Sequence, residues 1–175
     1  MQTLSTFLQN AQISDELNTV LTDIMTPCID ISGRVRQGAL AGVLGCAGQE
    51  NVQGETQKLL DVISNDLLKD AMKACPAVRG VASEEEDHPV AANPDGRYLV
   101  LYDPLDGSSN IDINVTVGTI FSILEADDCA DASQDDCYFQ AGNKQISAGY
   151  VLYGPSTLLA LTTGNGVNMF TLDQE

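Results

Sequence analysis

The chain has 175 residues, of which 43% are hydrophobic, and its 25 acidic and 8 basic residues give a formal net charge of −17. No apolar stretch approaches the roughly 20 residues that span a bilayer, the N-terminus lacks the basic flank of a secretory signal, and no cluster of Lys and Arg offers partners to nucleic-acid phosphates. We therefore expect one soluble domain, or a large part of one, in the cytoplasm, with neither a membrane nor a nucleic acid as partner. The acidity fits a solvated surface or a protein that collects divalent cations.

The first predicted element is a long amphipathic helix over residues 14–36. Its apolar residues recur at helical spacing, and Ser14 is the candidate N-cap, followed by acidic residues in the first turn. Pro27 is expected to kink or break this helix. Residues 38–55 hold five of the fifteen glycines but neither phosphate-binding glycine fingerprint, which predicts a mobile loop rather than a nucleotide site.

A second helix is predicted over residues 57–74. Its expected buried stripe consists of Leu60, Ile63, Leu67 and Ala71. Asp61 and Asp66 lie five positions apart, about 140° around the helix axis. These two carboxylates are therefore not expected to share one narrow face.

The second half of the chain has the pattern of strands. A strand is predicted at residues 98–102, and four more follow in the segments VTVGTIFSIL, ISAGYVLY, STLLALTT and VNMFTL, separated by Gly, Pro and Asn turns. Helices first and strands second indicate an α+β fold, a layered sandwich in which the N-terminal helices pack on a mostly antiparallel sheet.

Acidic residues lie at the ends of predicted elements in three clusters, which are Asp61 with Asp66, residues 84–87, and Asp103 with Asp106. The strand is expected to end at Asp103, and a turn would then bring Asp106 back towards it. Carboxylates on rigid elements suit Mg²⁺, and backbone N–H groups of the following Gly-Ser-Ser could hold a phosphate. Spacing alone leaves a tight turn with a solvated acidic face as an equal alternative.

The cysteines and the one histidine exclude other chemistries. Five cysteines without a CxxC pair argue against a structural zinc site or a disulfide framework. Three cysteines have apolar neighbours and are predicted to be buried: Cys28, Cys46 and Cys75. Cys129 and Cys137 lie in a polar stretch and could form a disulfide under oxidation. His88 follows the acidic run, is expected to be exposed, and offers no convincing Ser-His or Cys-His relay.

The segment DPLDGSSNID, preceded by SEEED and LDVISND, closely resembles the class I fructose-1,6-bisphosphatases, and more distantly the metal-dependent inositol monophosphatase superfamily. VGTIFSI, AGYVLYGPST and GNGVNMFTLD follow in the order expected for that family. The resemblance covers nearly the whole chain from about residue 14. It implies the N-terminal half of the sugar phosphatase fold.

The resemblance also implies an activity, which is the Mg²⁺-dependent hydrolysis of D-fructose 1,6-bisphosphate to fructose 6-phosphate and phosphate in gluconeogenesis. Two or more Mg²⁺ ions are implied, with Mn²⁺ as a substitute. The implied metal ligands are Glu84, Glu85, Asp103, the Leu105 carbonyl and Asp106. The implied phosphate-binding residues are Asp106, Gly107, Ser108 and Ser109. Asp66 resembles the family residue that, with Glu85, positions and deprotonates the attacking water. Asp61 also matches a family acid, in a supporting role.

Chains of this family are about twice as long, and their residues for the sugar and the far phosphate lie in the second half. The resemblance therefore implies that residues 1–175 are an N-terminal domain without the C-terminal substrate-binding half, with little activity alone and a homotetrameric state at full length. Two alternatives stay open. One is a phosphatase for another sugar bisphosphate, such as sedoheptulose 1,7-bisphosphate, and the other is a non-catalytic metal-binding module.

Two regulatory expectations also come from the resemblance. Glu125 stands where AMP-sensitive members of the family carry an arginine, and the neighbouring AMP-binding region corresponds to Ser14, Glu16, Asn18, Arg97 and Tyr98. Because the charge at position 125 is reversed, AMP inhibition of the mammalian kind is not expected. The loop with Cys129 and Cys137 is shorter than the redox insertion of chloroplast forms, so thiol control is not expected either.

Overall fold

A computed structural model describes residues 2–42, 45–50, 56–127 and 129–173. The helices are α1 (Leu4–Asn10), α2 (Asp15–Gln37) and α3 (Leu59–Ala74), and a 3₁₀ turn at Gly38–Ala41 follows α2. Both predicted long helices are present, with ends within two residues of those expected. Within the described ranges, no helix has the length and apolar character needed to cross a membrane.

Helix α2 begins where the sequence indicates. The Ser14 hydroxyl accepts a hydrogen bond from the Leu17 N–H at 3.1 Å, which satisfies one of the open donors of the first turn. Acidic residues in the first turn and basic residues in the last complement the helix dipole. The sequence predicted a kink or a break at Pro27. The helix continues through this buried residue, so the prediction of a break is wrong.

The strands are β1 (Cys46–Glu50), β2 (Thr56–Lys58), β3 (Val78–Ser83), β4 (Val90–Ala91), β5 (Tyr98–Asp106), β6 (Val117–Glu125), β7 (Ser147–Tyr153), β8 (Thr157–Thr162) and β9 (Asn168–Thr171). Strands β1 and β2 form a separate antiparallel pair. The main sheet has the order β4-β3-β5-β6-β7-β8-β9, and only the β3–β5 pair in it is parallel. The expected α+β fold with a mostly antiparallel sheet is confirmed.

The predicted mobile loop at 38–55 falls partly outside the described residues. Its residues 43, 44 and 51–55 lie outside the described part, and the remainder forms the 3₁₀ turn and β1. Its mobility therefore stays a prediction.

The two faces of the main sheet differ. Helices α2 and α3 cover one face, where Ile24, Leu60 and Phe121 are among the largest fully buried side chains. The opposite face of β6–β9 is open and apolar. Its exposed residues are Ile120, Tyr150, Leu152 and Met169, between 38% and 65% exposed. Ile120 pairs with Tyr150, Tyr150 with the buried Ala160, and Ala160 with Met169. Leu152 lies on the same face, two residues along β7 from Tyr150, and the four exposed residues are called the open apolar row.

A second, smaller core lies over the end of β5 and β6 where the polar loop returns. Cys129 and Cys137 in this loop are joined by a disulfide, with Cα atoms 5.0 Å apart. The buried Leu99, Leu124 and Tyr138 pack with them. Cys28 and Cys75 are buried free thiols, as predicted, while the side chain of Cys46 is outside the described part.

Candidate functional site

Strand β5 carries Asp103 and Asp106 to the end of the sheet. It does not stop at Asp103 but runs to Asp106, so the predicted turn between the two carboxylates is wrong. The pairing with β6 slips between them, because Pro104 and Leu105 together face a single residue of β6. This arrangement is a β-bulge, a local irregularity that re-aims side chains at the rim of a sheet.

A short 3₁₀ helix, Ser108–Ile113, follows the strand directly. Gly107 joins the two elements with φ +78°, a left-handed conformation that suits glycine. The Asn110 N–H donates to the Gly107 carbonyl at 2.9 Å and closes the turn. The structure thus places Gly107, Ser108 and Ser109 immediately beside Asp106, and their phosphate-binding role stays a prediction.

Asp103 is half-buried and surrounded by other carboxylates. Its Oδ1 accepts a hydrogen bond from the Leu105 N–H at 3.0 Å. Burial, together with the negative charges of Asp106, Glu85 and Asp61, raises the pKa of Asp103 to about 6, and that hydrogen bond opposes the rise. Asp103 therefore lies within the field of acids from three other positions.

Asp61 lies in the first turn of α3 and is 2% exposed. Its Oδ2 accepts a hydrogen bond from the Lys58 N–H at 2.6 Å, while its buried Oδ1 has no hydrogen-bond partner within the described ranges. Burial, with a smaller contribution from the charge of Glu85, raises the pKa of Asp61 to about 6, while the Lys58 N–H and the nearby Ser108 hydroxyl oppose the rise. Asp61 thus belongs to the same acidic group as Asp103.

Asp66 lies elsewhere on α3. Its side chain is 59% exposed and forms an ion pair with Lys69 at 3.1 Å. It is not among the charges that shift the pKa of Asp61 or Asp103. Of the two acids on α3, the structure therefore brings Asp61 to the other candidate residues and leaves Asp66 on the surface.

The acidic run after β3 is divided between two environments. The Glu84 N–H donates to the Tyr102 carbonyl at 3.0 Å, which extends the β3–β5 pairing, and Glu84 shares an open groove with Asp103. The Glu85 N–H donates to the Ser83 hydroxyl at 3.2 Å. Both glutamates are half-buried, so the run is not simply a solvated face.

Glu86 was not singled out by the sequence. Its Oε1 accepts hydrogen bonds from Asn65 Nδ2 at 2.8 Å and Lys69 Nζ at 2.6 Å, both on α3. Burial raises the pKa of Glu86, but these hydrogen bonds outweigh it and hold the pKa below its usual value. The i, i+4 spacing of Asn65 and Lys69 is a weak signal that could have indicated this anchor.

The group fits a hard divalent cation by its donor chemistry. Carboxylate oxygens are the ligands that Mg²⁺ prefers, and the partnerless Oδ1 of Asp61 is a buried acceptor that a cation or its water would satisfy. Within the described ranges, no three Asp, Glu, His or Cys side chains are close enough together to hold a metal on their own. Side chains would have to adjust when an ion enters.

Residues that correspond to the AMP-binding region lie close together at the other end of β5, near Tyr98. The Ser14 and Tyr98 hydroxyls lie 2.8 Å apart. Arg97 forms an ion pair with Glu125 at 2.7 Å. Glu125, the acid at the position discussed for AMP, is therefore paired with the Arg97 guanidinium.

Comparison with known proteins gives consistent matches over the whole chain. The family described as "Fructose-1-6-bisphosphatase, N-terminal domain" matches residues 2–175. A class 1 fructose-1,6-bisphosphatase of Hydrogenovibrio crunogenus is 60% identical over 173 residues, 99% of this chain and 54% of that protein. That of Shewanella amazonensis is 61% identical and is covered to 53%. The holo crystal structure of Leishmania major fructose-1,6-bisphosphatase superimposes with a TM-score of 0.92 at 36% identity, covering 99% of this chain and 55% of that one. The chain thus spans about half the length of these relatives.

Proposed function

We propose, from the premise that this chain belongs to the fructose-1,6-bisphosphatase family, that residues 1–175 form the N-terminal domain of an enzyme that hydrolyses the 1-phosphate ester of D-fructose 1,6-bisphosphate. The products are fructose 6-phosphate and phosphate, and the setting is cytoplasmic gluconeogenesis. The observation that carries this proposal is the shared electrostatic field of Asp61, Glu85, Asp103 and Asp106, which come from three separate segments of the chain. Like charges brought together at the rim of a sheet are unfavourable unless a ligand offsets them.

The residues that would hold divalent cations are Glu84, Glu85, Asp103, the Leu105 carbonyl and Asp106. When bound, two or more Mg²⁺ ions, or Mn²⁺ in their place, supply charge neutralisation for the phosphoryl group and acidify a water molecule. The protein's part is to orient these oxygens. The β5 bulge and the hydrogen bond that ties Glu86 to Asn65 of α3 support that orientation.

We assign the proton-accepting role to Asp61 together with Glu85, in place of Asp66. A base acts best when its pKa lies near the working pH, and the pKa of Asp61 at about 6 is close to neutral. Its buried Oδ1 has no hydrogen-bond partner among the described residues, so it could accept a proton if water enters the site with the cations. Asp66, by contrast, is engaged by Lys69 at the surface.

The Gly107, Ser108 and Ser109 segment would bind the phosphate through backbone N–H groups, and its position directly after Asp106 supports this. No covalent intermediate is required: a water oxygen would attack the phosphorus while its proton passes to the Asp61–Glu85 pair, the bond from phosphorus to the sugar oxygen would break, and that oxygen would take up a proton from solvent. Of the cations near the acidic group in the described part of the chain, Lys58 is paired with Asp112 and Lys69 with Glu86 and Asp66, so both already neutralise acids.

The far phosphate and the sugar therefore need residues from the remainder of the longer protein. The open apolar row of Ile120, Tyr150, Leu152 and Met169 supports this domain assignment, since a face of this kind is normally covered. We expect the isolated chain to have little activity and the complete enzyme to be a homotetramer.

A chimera tests the proposal. The chain is joined to the C-terminal remainder of the 60% identical Hydrogenovibrio crunogenus enzyme, and phosphate release from fructose 1,6-bisphosphate is measured with and without Mg²⁺. We expect Mg²⁺-dependent turnover that Asp103→Asn abolishes, while Asp87→Asn, an exposed acid in the neighbouring loop, retains it. Metal binding without hydrolysis would favour the non-catalytic module. A strong preference for sedoheptulose 1,7-bisphosphate would change the substrate, and robust turnover by the isolated chain would contradict the domain assignment.

A further inference from the structure

The bulge in β5 decides which face of the sheet its two aspartates share. In a regular strand, residues three apart point to opposite faces. Here Asp103 pairs with Ile120 and Asp106 pairs with Gly118, two positions apart on β6, so both aspartates belong to the same face. The extra residue in the bulge is therefore what allows Asp103 and Asp106 to serve one ligand.

A fully buried threonine of β6 holds this bulge from the helix side. Thr119 Oγ1 donates a hydrogen bond to the Pro104 carbonyl at 2.8 Å. Pro104 has no N–H to place in the ladder, and its carbonyl lies where the regular pairing is interrupted. The Thr119 hydroxyl thus gives the Pro104 carbonyl a side-chain donor where the pairing slips, and its removal would cost this buried hydrogen bond.

The hydroxyl is itself oriented by a neighbour. The Thr119 Oγ1 and Tyr153 Oη atoms lie 2.7 Å apart, and both residues are buried. Because Thr119 gives its only hydrogen to Pro104, the Tyr153 hydroxyl donates in this pair. The Cys28 thiol of α2 lies beside both hydroxyls. A polar chain therefore runs from the helix layer to the bulge.

We propose that Thr119 is a positioning residue for the metal-binding aspartates: its buried hydroxyl fixes the bulge that brings Asp103 and Asp106 to one face of the sheet. The inference rests on the proposed function, since the consequence of losing the bulge is weaker binding of a divalent cation. Thr119 itself touches neither the cation nor the substrate.

Three variants of the chain separate this role from a general loss of packing. Thr119→Val keeps the volume and removes the hydroxyl, and Thr119→Ser restores the hydroxyl. Thr157→Val is the matched control, because the Thr157 hydroxyl also makes a buried bond, to Ser32 at 2.6 Å, on a different strand. The first measurement is amide hydrogen exchange of Leu105 and Asp106 without metal, and the second is Mn²⁺ titration followed by electron paramagnetic resonance.

In Thr119→Val, we expect faster exchange at these two amides and an Mn²⁺ half-saturation concentration raised by about tenfold or more, as for other residues that orient metal ligands. Thr119→Ser should stay close to the wild type, and Thr157→Val should show neither effect even where its stability falls equally. Equal behaviour of the two valine variants in both measurements would overturn the proposal. If the wild-type chain binds no Mn²⁺, the proposed metal site fails, and the exchange data still decide whether Thr119 holds the bulge.

Discussion

Lys69 and Glu86 form an ion pair of 2.6 Å that ties helix α3 to the acidic run after β3. Asp66 contacts the same ammonium at 3.1 Å, and the Lys69 side chain is 23% exposed. A partly buried pair of this kind with a second acid contributes about 1 kcal/mol. We expect Lys69→Met to lower the free energy of unfolding by about this amount and to loosen the segment that presents Glu84 and Glu85. Urea unfolding and Mn²⁺ titration measure the two effects.

Lys73→Met provides the control, because it removes the same charge from an exposed residue one turn further along α3. If both variants weaken Mn²⁺ binding equally, the effect is one of net charge, and the anchoring role of Lys69 is wrong.

Asp61 combines burial with an unpartnered oxygen, so its charge destabilises the metal-free protein. Its pKa rises from 3.8 to about 6 on folding. For a raised pKa, the stabilising contribution is complete below the unfolded value and is lost as pH rises through 6. We therefore expect Asp61→Asn, in the presence of EDTA at pH 7.5, to be more stable by roughly 1–2 kcal/mol. The gain should vanish near pH 4, and Mn²⁺ binding should weaken strongly.

Asp66→Asn is the matched comparison on the same helix. Because Asp66 is exposed, we expect a change in stability within about 0.5 kcal/mol and nearly unchanged turnover of the chimera. Loss of activity in Asp66→Asn with activity retained in Asp61→Asn would return the catalytic role to Asp66.

The sequence predicts α3 well in extent but not in rotation. The expected buried stripe included Ile63 and Leu67, which are only half-buried, whereas the polar Ser64 and Asn65 are buried. Hydrophobic periodicity counts polar residues as surface, so it turned the helix away from its true contact face. Asp61 lies on this contact face, whereas Asp66, which the resemblance makes the catalytic candidate, lies on the exposed side, and the role of Asp66 stays a prediction.

The β5 bulge was equally invisible in the sequence. Strand existence follows from a local apolar run, and the predicted segments in the second half are all present. A bulge depends on the partner strand, here on the Thr119 hydroxyl that faces Pro104. Turn chemistry in Pro-Leu-Asp-Gly suggested a bend three residues too early, because a proline, which cannot donate to the ladder, is tolerated within a strand at a bulge.

The open face of the sheet gives a further prediction. Leu152 is 38% exposed in this row, and we propose that the remainder of the longer protein covers it. We expect Leu152→Lys to leave the isolated chain folded, by circular dichroism and urea midpoint, and to lower turnover of the chimera at least tenfold, since a charge would be buried without a partner. Leu40→Lys, at a site 93% exposed in the 3₁₀ turn, should affect neither property. Equal activity of the two variants would show that this face is not covered.

The disulfide between Cys129 and Cys137 closes a short loop over the smaller core. This loop lies tightly against β3, where a Cβ at Gly80 would meet Tyr138 Oη at 2.5 Å. A cross-link of this span stabilises by about 2–3 kcal/mol, because it restricts the unfolded chain. We expect dithiothreitol to lower the free energy of unfolding of the oxidised protein by this amount, measured in urea. The Cys129→Ser/Cys137→Ser variant should start at the reduced value and should not respond to dithiothreitol. The loop lies at the opposite end of β5 from Asp106, so we expect the Mn²⁺ half-saturation concentration to be the same in both redox states. A change of more than about threefold in that concentration would show that the loop is coupled to the acidic site. That result would contradict the expected lack of thiol control.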